Sequence, residues 1–373
     1  MRITNSILVN NLMRNLNSNL NRMDKLQNQL ATGRKYGHIS DDPIALIYSQ
    51  SARNKIARLE HYQKTVGAAN NWLDQAEVGI MELQSTIANA YEAAVDAATD
   101  VKTDDDRKNI AAMMAQLRDH YVDTLNTTFG DKFVFGGYNT PGDPASGFLS
   151  DGVKPFVVKD LGTGKGPELF YNGFSLSQFD KMEAADYQAL LDAPDLASLA
   201  PLPPQLSSWT DVEFNTFQTL KNDILIFDVG PGVSIPVTKN GLEITLSIST
   251  DEDGVQIMRN SFDVLQELYM AAEFSTTPEN TSVEISKMIK PLQDTQSHLL
   301  TQGAEIGGRM RRLELLEARY EQDAVNYERM KSDAEDVDMA EVIMYQKMAE
   351  AVYQAALSAG ARIIQPTLMD FLR

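Results

Sequence analysis

One heptad repeat constrains what this chain can fold into more than any other feature. Between residues 59 and 94 an apolar side chain recurs at every seventh position, in the row Leu59, Val66, Leu73, Ile80 and Ile87. A solitary amphipathic helix rarely keeps a seven-residue period over about five repeats, whereas a coiled-coil helix does. The repeat therefore predicts one long helix that packs along a partner of similar length.

A second heptad repeat, in the C-terminal third, indicates the partner helix. Its row is Leu292, Leu299, Ile306, Leu313 and Tyr320. We call the two rows together the bundle seam. They predict a mainly α fold, in which the N- and C-terminal thirds form a long antiparallel coiled-coil bundle and the intervening chain is an insertion.

A further amphipathic helix is predicted over residues 1–32. Its apolar side chains recur at steps of three and four, and its opposite face is rich in asparagine, a weak helix former. Such a helix is marginal by itself and is expected to order only when its apolar face is covered. The residues of this face that we assign to an assembly interface are Leu8, Leu12, Leu16, Leu20, Met23 and Leu30.

The C-terminal helix, predicted over residues 337–364, supplies the other half of this assembly interface. Its apolar row contributes Met344, Met348, Val352, Ala355 and Ile363. The N-terminal helix is basic and this helix begins with acidic residues, so charge favours their pairing while the apolar rows supply the affinity. The methionines fit equally well with plain core packing and with a surface that re-packs against several partners.

Between residues 138 and 255 helical periodicity gives way to short apolar runs with frequent glycine and proline, which predicts an inserted β-rich domain. Its clearest strand is the alternating run 242–248, preceded by a hairpin-turn signal at Asn240 and Gly241. Helix is expected to resume near Gln256, and a short helix is possible over 184–191.

These elements predict three domains. The terminal segments 1–40 and 336–373 form an assembly domain that is disordered in the monomer. The segments 41–137 and 256–335 form the helical bundle. Residues 138–255 form the β-rich outer domain.

The composition narrows the classes of function. A net charge of −19 over 373 residues argues against a nucleic-acid partner, because carboxylates repel phosphates. The absence of cysteine excludes disulfides and thiolate sites. No apolar run reaches about eighteen residues, so no membrane span is expected. Polar residues interrupt the N-terminal apolar row, so no cleaved signal peptide is expected either.

No pattern of residues predicts catalysis. The four histidines are scattered without helical spacing or a metalloprotease motif. The glycine-rich run 162–166 lacks the Ser or Thr that follows the lysine of a phosphate-binding loop, and the acidic run 251–254 lacks the outer ligands of a calcium loop. We therefore expect no catalytic residues, no cofactor and no metal, and we predict that the protein is not an enzyme.

Five stretches resemble the flagellin superfamily of bacterial flagellar proteins. Residues 26–46 (LQNQLATGRKYGHISDDPIAL) are similar to the family's segment in which one helix ends, the chain breaks and a new helix begins. The Asp42–Pro43 pair in it is closer to the hook–filament junction branch than to filament flagellins. Residues 126–141 (NTTFGDKFVFGGYNTP) are similar to the segment where helix gives way to the outer domain. Three stretches are similar to the last two helices: 306–314 (IGGRMRRLE), 332–343 (SDAEDVDMAEVI) and 355–372 (AALSAGARIIQPTLMDFL).

This resemblance implies terminal helices that line an axial tube, a coiled-coil bundle outside them and a β-rich domain facing solvent. It implies unfolded export by the flagellar type III system, a flagellar export chaperone that holds the C-terminal helices, and an extracellular place in the flagellum. Subunits would form a ring that joins the first hook-associated protein to flagellin.

Two alternatives stay open. A filament-forming flagellin belongs to the same superfamily but occupies another position in the assembly. A stalked adhesive module belongs to another class and would bind its ligand through the outer domain. The aromatic side chains to test for that module are Phe148, Tyr171, Phe174 and Trp209.

Overall fold

The computed structural model describes residues 5–37, 40–98, 103–130, 132–137, 154–160, 166–199, 203–207, 209–251, 253–274 and 278–369, with side chains for all of these except 5, 6, 104, 274, 278–281 and 362–369. The chain divides into two compact units. The terminal unit comprises Met1–His61 and Ala318–Arg373, and the central unit comprises Tyr62–Glu317.

Helices dominate the described residues. In chain order they are α1 (Asn5–Thr32), α2 (Pro43–Ala97), α3 (Asp104–Leu125), α4 (Ala184–Asp192), α5 (Asp211–Lys221), α6 (Gly241–Thr245), α7 (Ser261–Phe274), α8 (Pro278–Glu335) and α9 (Met339–Met369). The 55 residues of α2 and the 58 residues of α8 contribute to both units. The predicted fold class, mainly α with long helices from both ends of the chain, is confirmed.

The strands are short and pair antiparallel. They are β1 (Thr128–Phe129), β2 (Lys132–Phe133), β3 (Phe156–Asp160), β4 (Pro167–Tyr171), β5 (Phe174–Ser175), β6 (Ile226–Gly230), β7 (Val233–Pro236), β8 (Leu246–Thr250) and β9 (Gln256–Asn260). They form the sheets β1–β2, β3–β4–β5, β6–β7 and β8–β9. Because α4, α5 and α6 lie among these strands, the inserted region is mixed rather than purely β.

The helix boundaries follow from local chemistry. Gly33 ends α1 at a φ of 67°, a conformation that glycine adopts without strain. The Asp42 carboxylate begins α2 by accepting hydrogen bonds from the backbone N–H groups of Ile44 (3.0 Å) and Ala45 (3.1 Å). Thr103 caps α3 in a reciprocal capping box with Asp106.

Three predictions in or beside the inserted region are wrong. The run 242–248 begins as helix α6 and becomes strand only at Leu246. Asn240 is not a hairpin turn, because its side chain accepts the Leu242 N–H and caps α6 (3.0 Å). The chain at Gln256 starts β9, and helix resumes only at Ser261. The predicted short helix over 184–191 is confirmed as α4.

Candidate assembly interface

In the central unit, the bundle seam lies inside the contact between α2 and α8. Its members there are fully buried: Val66, Leu73, Ile80, Ile87, Leu292, Leu299, Ile306 and Leu313. Gln84 Nε2 donates to the Leu299 carbonyl (3.0 Å), and Gln293 Nε2 donates to the Tyr91 hydroxyl (3.1 Å). Residue numbers rise along α2 as they fall along α8, so the two helices are antiparallel.

The remaining seam residues lie in the terminal unit. Leu59 is 6% exposed and Tyr320 is 7% exposed. One repeat beyond Tyr320, the ammonium group of Lys55 lies 5.1 Å from the ring centroid of Tyr327. Arg53, nearer the start of α2, contacts Glu335, nearer the end of α8, so the antiparallel order of the two helices also holds within this unit.

Helices α1 and α9 pack against each other as an antiparallel pair. Leu26, Val342 and Ala349 form its buried apolar cluster. Further along α1, Asn19 Nδ2 donates to the Ala349 carbonyl (3.0 Å). Gly360 meets the other end of α1 so closely that an added Cβ would lie 2.7 Å from the Leu12 Cδ2.

The predicted interface residues of α1 lie on or beside the face that meets α9. Met23 and Leu30 pack against the buried cluster, and Leu12 and Leu16 are half-buried. Leu8 is 43% exposed and Leu20 is 39% exposed. The α1–α9 contact therefore covers this apolar face only in part.

The predicted residues of α9 lie on a different face from the one that meets α1. Their exposed members are Met344 (52%), Met348 (58%), Val352 (56%) and Ala355. Ile363 lies outside the residues whose side chains are described. Helix α9 meets α1 through Val342, Ala349 and Gly360 instead. We call Met344, Met348, Val352 and Ala355 the outer face of α9.

Sequence reasoning missed the pairing face of α9 because that face is made of small residues. Val342 and Ala349 stand one heptad apart, and Gly360 continues close to the same side of the helix. Small side chains allow close approach of two helices, whereas the larger methionines dominate an apolar pattern. The available signal was that α9 is apolar on two faces, which is typical of a helix with partners on both sides.

Sequence reasoning also missed an ionic node at Glu335. Its carboxylate accepts hydrogen bonds from Arg53 Nε (2.6 Å) and Nη2 (2.5 Å), and from Ser49 Oγ. Arg34 Nε lies 3.7 Å away. The Arg53 hydrogen bonds are the main reason that the pKa of Glu335 falls to about 2, from 4.5.

Backbone hydrogen bonds beside this node join two breaks between helices. The Lys35 N–H donates to the Glu335 carbonyl (2.7 Å), and the Val337 N–H donates to the Gly33 carbonyl (3.0 Å). The break between α1 and α2 is thereby attached to the break between α8 and α9. These hydrogen bonds therefore hold together the two points at which α1 connects to α2 and α8 connects to α9.

The described residues show neither a metal centre nor an exposed aromatic surface of the kind considered above. Among them, no group of three or more His, Asp or Glu side chains is arranged to hold a metal ion. Tyr171, Phe174 and Trp209 are buried, and Phe174 and Trp209 pack together with ring centroids 5.5 Å apart. The idea that these aromatics form an exposed binding surface is wrong, because they form a core; Phe148 lies outside the described residues.

The sequence of this chain is similar to those of bacterial flagellar proteins. Residues 3–140 match the model of the bacterial flagellin N-terminal helical region. Flagellar hook-associated protein 3 of Escherichia coli is 23% identical over 95% of this chain and 96% of its own length. The protein of the same name from Salmonella typhimurium is 22% identical over 95% of each chain. The chain is similar to flagellar hook-associated protein 3 along nearly its whole length. This confirms the resemblance that the sequence motifs indicated.

Solved structures share the fold. A flagellar hook-associated protein of Vibrio parahaemolyticus superposes with a TM-score of 0.54 at 16% identity, over 79% of this chain and all of that one. Hook-associated protein 3 of Legionella pneumophila gives a TM-score of 0.52 at 12% identity, over 76% of this chain and 99% of that one. Among the described residues, no helix is both long and apolar enough to cross a membrane.

Proposed function

We propose that this protein is a structural adaptor of the bacterial flagellum, a ring of subunits that joins the hook to the flagellin filament. The observation that carries the proposal is similarity to hook-associated protein 3 over 95% of the chain. The flagellin of Clostridium tyrobutyricum, in contrast, matches 34% of the chain at 28% identity. A junction role is therefore favoured over the filament-forming alternative.

The α1–α9 pair is the part of the molecule suited to assembly. The outer face of α9 carries large apolar side chains that nothing covers among the described residues of this chain. Exposed apolar patches of this kind mark surfaces that bind other proteins. Neighbouring subunits would cover this face together with Leu8 and Leu20 of α1.

Assembly would also order the terminal helices. Asparagine-rich α1 is a weak helix by itself, and the α1–α9 pair buries few apolar side chains. Residues 1–40 and 336–373 would thus be loosely structured in the free monomer and fold when subunits dock. Coupled folding would keep free subunits from polymerising early.

The partners follow from this position in the flagellum. They are the first hook-associated protein, flagellin and further copies of this chain. Before assembly, an export chaperone would hold the chain, which would then pass unfolded through the flagellar type III system. It would act outside the cell as a structural protein, without catalysis or a cofactor.

Deleting the gene tests the junction role. We expect bare hooks on the cells by electron microscopy and soluble flagellin in the medium by immunoblot. Persisting filaments, or loss of the main filament protein itself, would contradict the role and favour a flagellin. Restoring the wild-type gene from a plasmid is the control, and it should bring the filaments back.

A further inference from the structure

The central unit contains a cleft of about 640 Å³ between α4, α6, the β8–β9 sheet and one side of α8. Sites for small molecules occupy roughly 300–1,000 Å³, so this cleft has a suitable size. Part of its lining is aliphatic and comes from Leu246, Ile248 and Met258. Ile248 is 53% exposed, although it belongs to a strand with a buried side.

A polar ladder on α8 forms another part of the lining. Its residues recur at steps of three and four, which places them on one side of the helix. They are Asp294, Ser297, His298, Thr301, Gln302 and Glu305. The cleft therefore offers an aliphatic surface and a row of hydrogen-bonding groups to the same occupant.

The charged groups around the cleft are already paired. Lys239, only 3% exposed, bridges two carboxylates. The pairs are Lys239 with Glu243 and Glu305, Arg309 with Glu305, Asp294 with Lys290, and Lys221 with the Leu191 carbonyl. A charged ligand would compete with these pairs, so the lining favours a neutral one.

Two acceptors in the lining can still receive a hydrogen bond. Gln302 is 8% exposed, and among the described residues no donor reaches its Oε1. His298 Nε2 lies 2.6 Å from the Glu243 carbonyl and must donate to it, since a carbonyl only accepts. Burial lowers the pKa of His298, so the ring is neutral at pH 7 and its Nδ1 is an acceptor. A buried acceptor without a donor is costly, which points to a ligand that donates.

We propose that this cleft binds a neutral, hydroxyl-rich ligand of the oligosaccharide class. A sugar ring has an aliphatic C–H face, which suits the exposed side chain of Ile248. Leu246 and Met258 are only 3% and 4% exposed, so of these three side chains Ile248 offers the contact surface.

The hydroxyl groups of the sugar both donate and accept, so they can donate to Gln302 Oε1 and His298 Nδ1 and accept from the Ser297 hydroxyl. The Thr301 hydroxyl already donates to the Ser297 carbonyl (3.0 Å). Every residue of this lining belongs to the central unit, and binding a sugar would be a function beyond the adaptor role.

The test uses the full-length protein and three neutral trisaccharides, namely maltotriose, cellotriose and triacetylchitotriose. Saturation-transfer NMR identifies a bound sugar, and calorimetry measures its Kd. We expect at least one to bind with a millimolar or lower Kd. Gln302→Leu removes the unpaired acceptor and should weaken binding about tenfold. Gln322→Leu makes the same change at an exposed position of α8 that is not part of the cleft lining, and should leave binding unchanged.

A second variant covers the case in which Gln302→Leu does not fold. Ile248→Asp alters an exposed position of the aliphatic lining and should also weaken binding about tenfold. No transfer from any of the three sugars at ten millimolar would overturn the proposal, as would binding that neither variant weakens. Binding of the neutral peptide Ac-VTVTV-NH2 in place of the sugars would overturn it as well, because the cleft would then be a peptide site.

Discussion

The terminal and central units are both built on long helices, but they bury their apolar side chains to different extents. In the central unit, Ile80 and Ile306 are fully buried in the bundle seam. In the terminal unit, the α1–α9 contact encloses a small cluster of Leu26, Val342 and Ala349. Fully burying a large aliphatic side chain contributes roughly 1.5–3 kcal/mol. The central unit should therefore be stable by itself, whereas the terminal unit should depend on neighbours.

The inserted region strengthens this contrast. Phe174, Phe179, Trp209 and Phe217 form an aromatic cluster in the central unit, with Phe179 and Phe217 rings 5.3 Å apart. Such ring pairs contribute about 0.5–1.5 kcal/mol beyond their area burial. The described part of the α1–α9 pair has no aromatic cluster of this kind. Large apolar side chains are therefore buried in a core in the central unit, whereas several of those on α9 in the terminal unit are exposed.

The largest expected effect on stability comes from the seam of the central unit. Ile80→Ala should lower the free energy of unfolding by about 2–5 kcal/mol, because it leaves a cavity in a fully packed contact. Both tryptophans, Trp72 and Trp209, lie in the central unit, so urea unfolding followed by tryptophan fluorescence reports on it.

The matched control for this variant is Val78→Ala on the same helix. Val78 is 55% exposed, so its truncation should change the free energy of unfolding by no more than about 0.5 kcal/mol. If the two variants lost equal stability, the seam would not be the main source of stability in the central unit.

A smaller loss is expected at the ionic node of the terminal unit. Glu335→Gln removes the charge that Arg53 and Arg34 face, and should destabilise that unit by about 1–3 kcal/mol. Amide hydrogen exchange along α9 should accelerate, while tryptophan-detected unfolding of the central unit stays the same. Glu314→Gln removes an exposed partner of Arg311 and should change neither readout.

The sequence predicted the long helices but not this node, for a physical reason. A heptad repeat lies within one helix, and Leu73 and Ile80 reveal it without knowledge of the partner. The contact of Arg53 with Glu335 joins residues that stand 282 positions apart, so only the folded chain brings them together. Local periodicity therefore predicts elements better than it predicts contacts between polar side chains.

The start of α6 was ambiguous in the sequence itself. Asn240 followed by Gly241 fits a hairpin turn and a helix cap equally well, because asparagine serves both, and the tertiary structure selects the cap. The capping box of Thr210 with Glu213 is a local signal for the start of α5, a helix that the apolar periodicity did not predict. The two apolar faces of α9 could not be ranked without seeing which face met α1.

The two units should also respond to pH in opposite directions. In the central unit, burial and the nearby Asp180 raise the pKa of Asp263 from 3.8 to about 7. The stability that this group contributes is therefore present below pH 3.8 and is lost as pH rises through 7. In the terminal unit, the depressed pKa of Glu335 gives a contribution that is present above pH 4.5 and is lost as pH falls towards 2.

Tryptophan-detected unfolding reports on the central unit and amide hydrogen exchange along α9 reports on the terminal unit; each is measured from pH 3 to pH 8 to check this difference. Asp263→Asn keeps an acceptor for Ser177 Oγ, which donates to Asp263 at 2.9 Å in the wild type. The stability of this variant should rise relative to that of wild type as pH rises. Glu335→Gln should be less stable than wild type at neutral pH, and its stability should approach that of wild type in acid. Parallel curves for Asp263→Asn and wild type would contradict a raised pKa in the folded state.

The smallest effect on the monomer is expected on the outer face of α9, where the effect on assembly should be greatest. Met348 is 58% exposed, so Met348→Asp should change the free energy of unfolding by no more than about 0.5 kcal/mol. Placing a charge on an apolar surface that neighbours must cover should nevertheless abolish assembly, because an unpaired charge would be buried. Complementation of the deletion strain, scored by motility and electron microscopy, measures this.

Gln354→Asp provides the control for Met348→Asp, since it places the same residue at another exposed position of α9. It should complement the deletion fully, because a polar side chain there already faces solvent. Filaments restored by both variants would show that the outer face of α9 takes no part in assembly. Failure of both would instead point to a general requirement for the charge or helicity of α9. Failure of Met348→Asp alone would assign the exposed apolar surface of the terminal unit to contact between subunits.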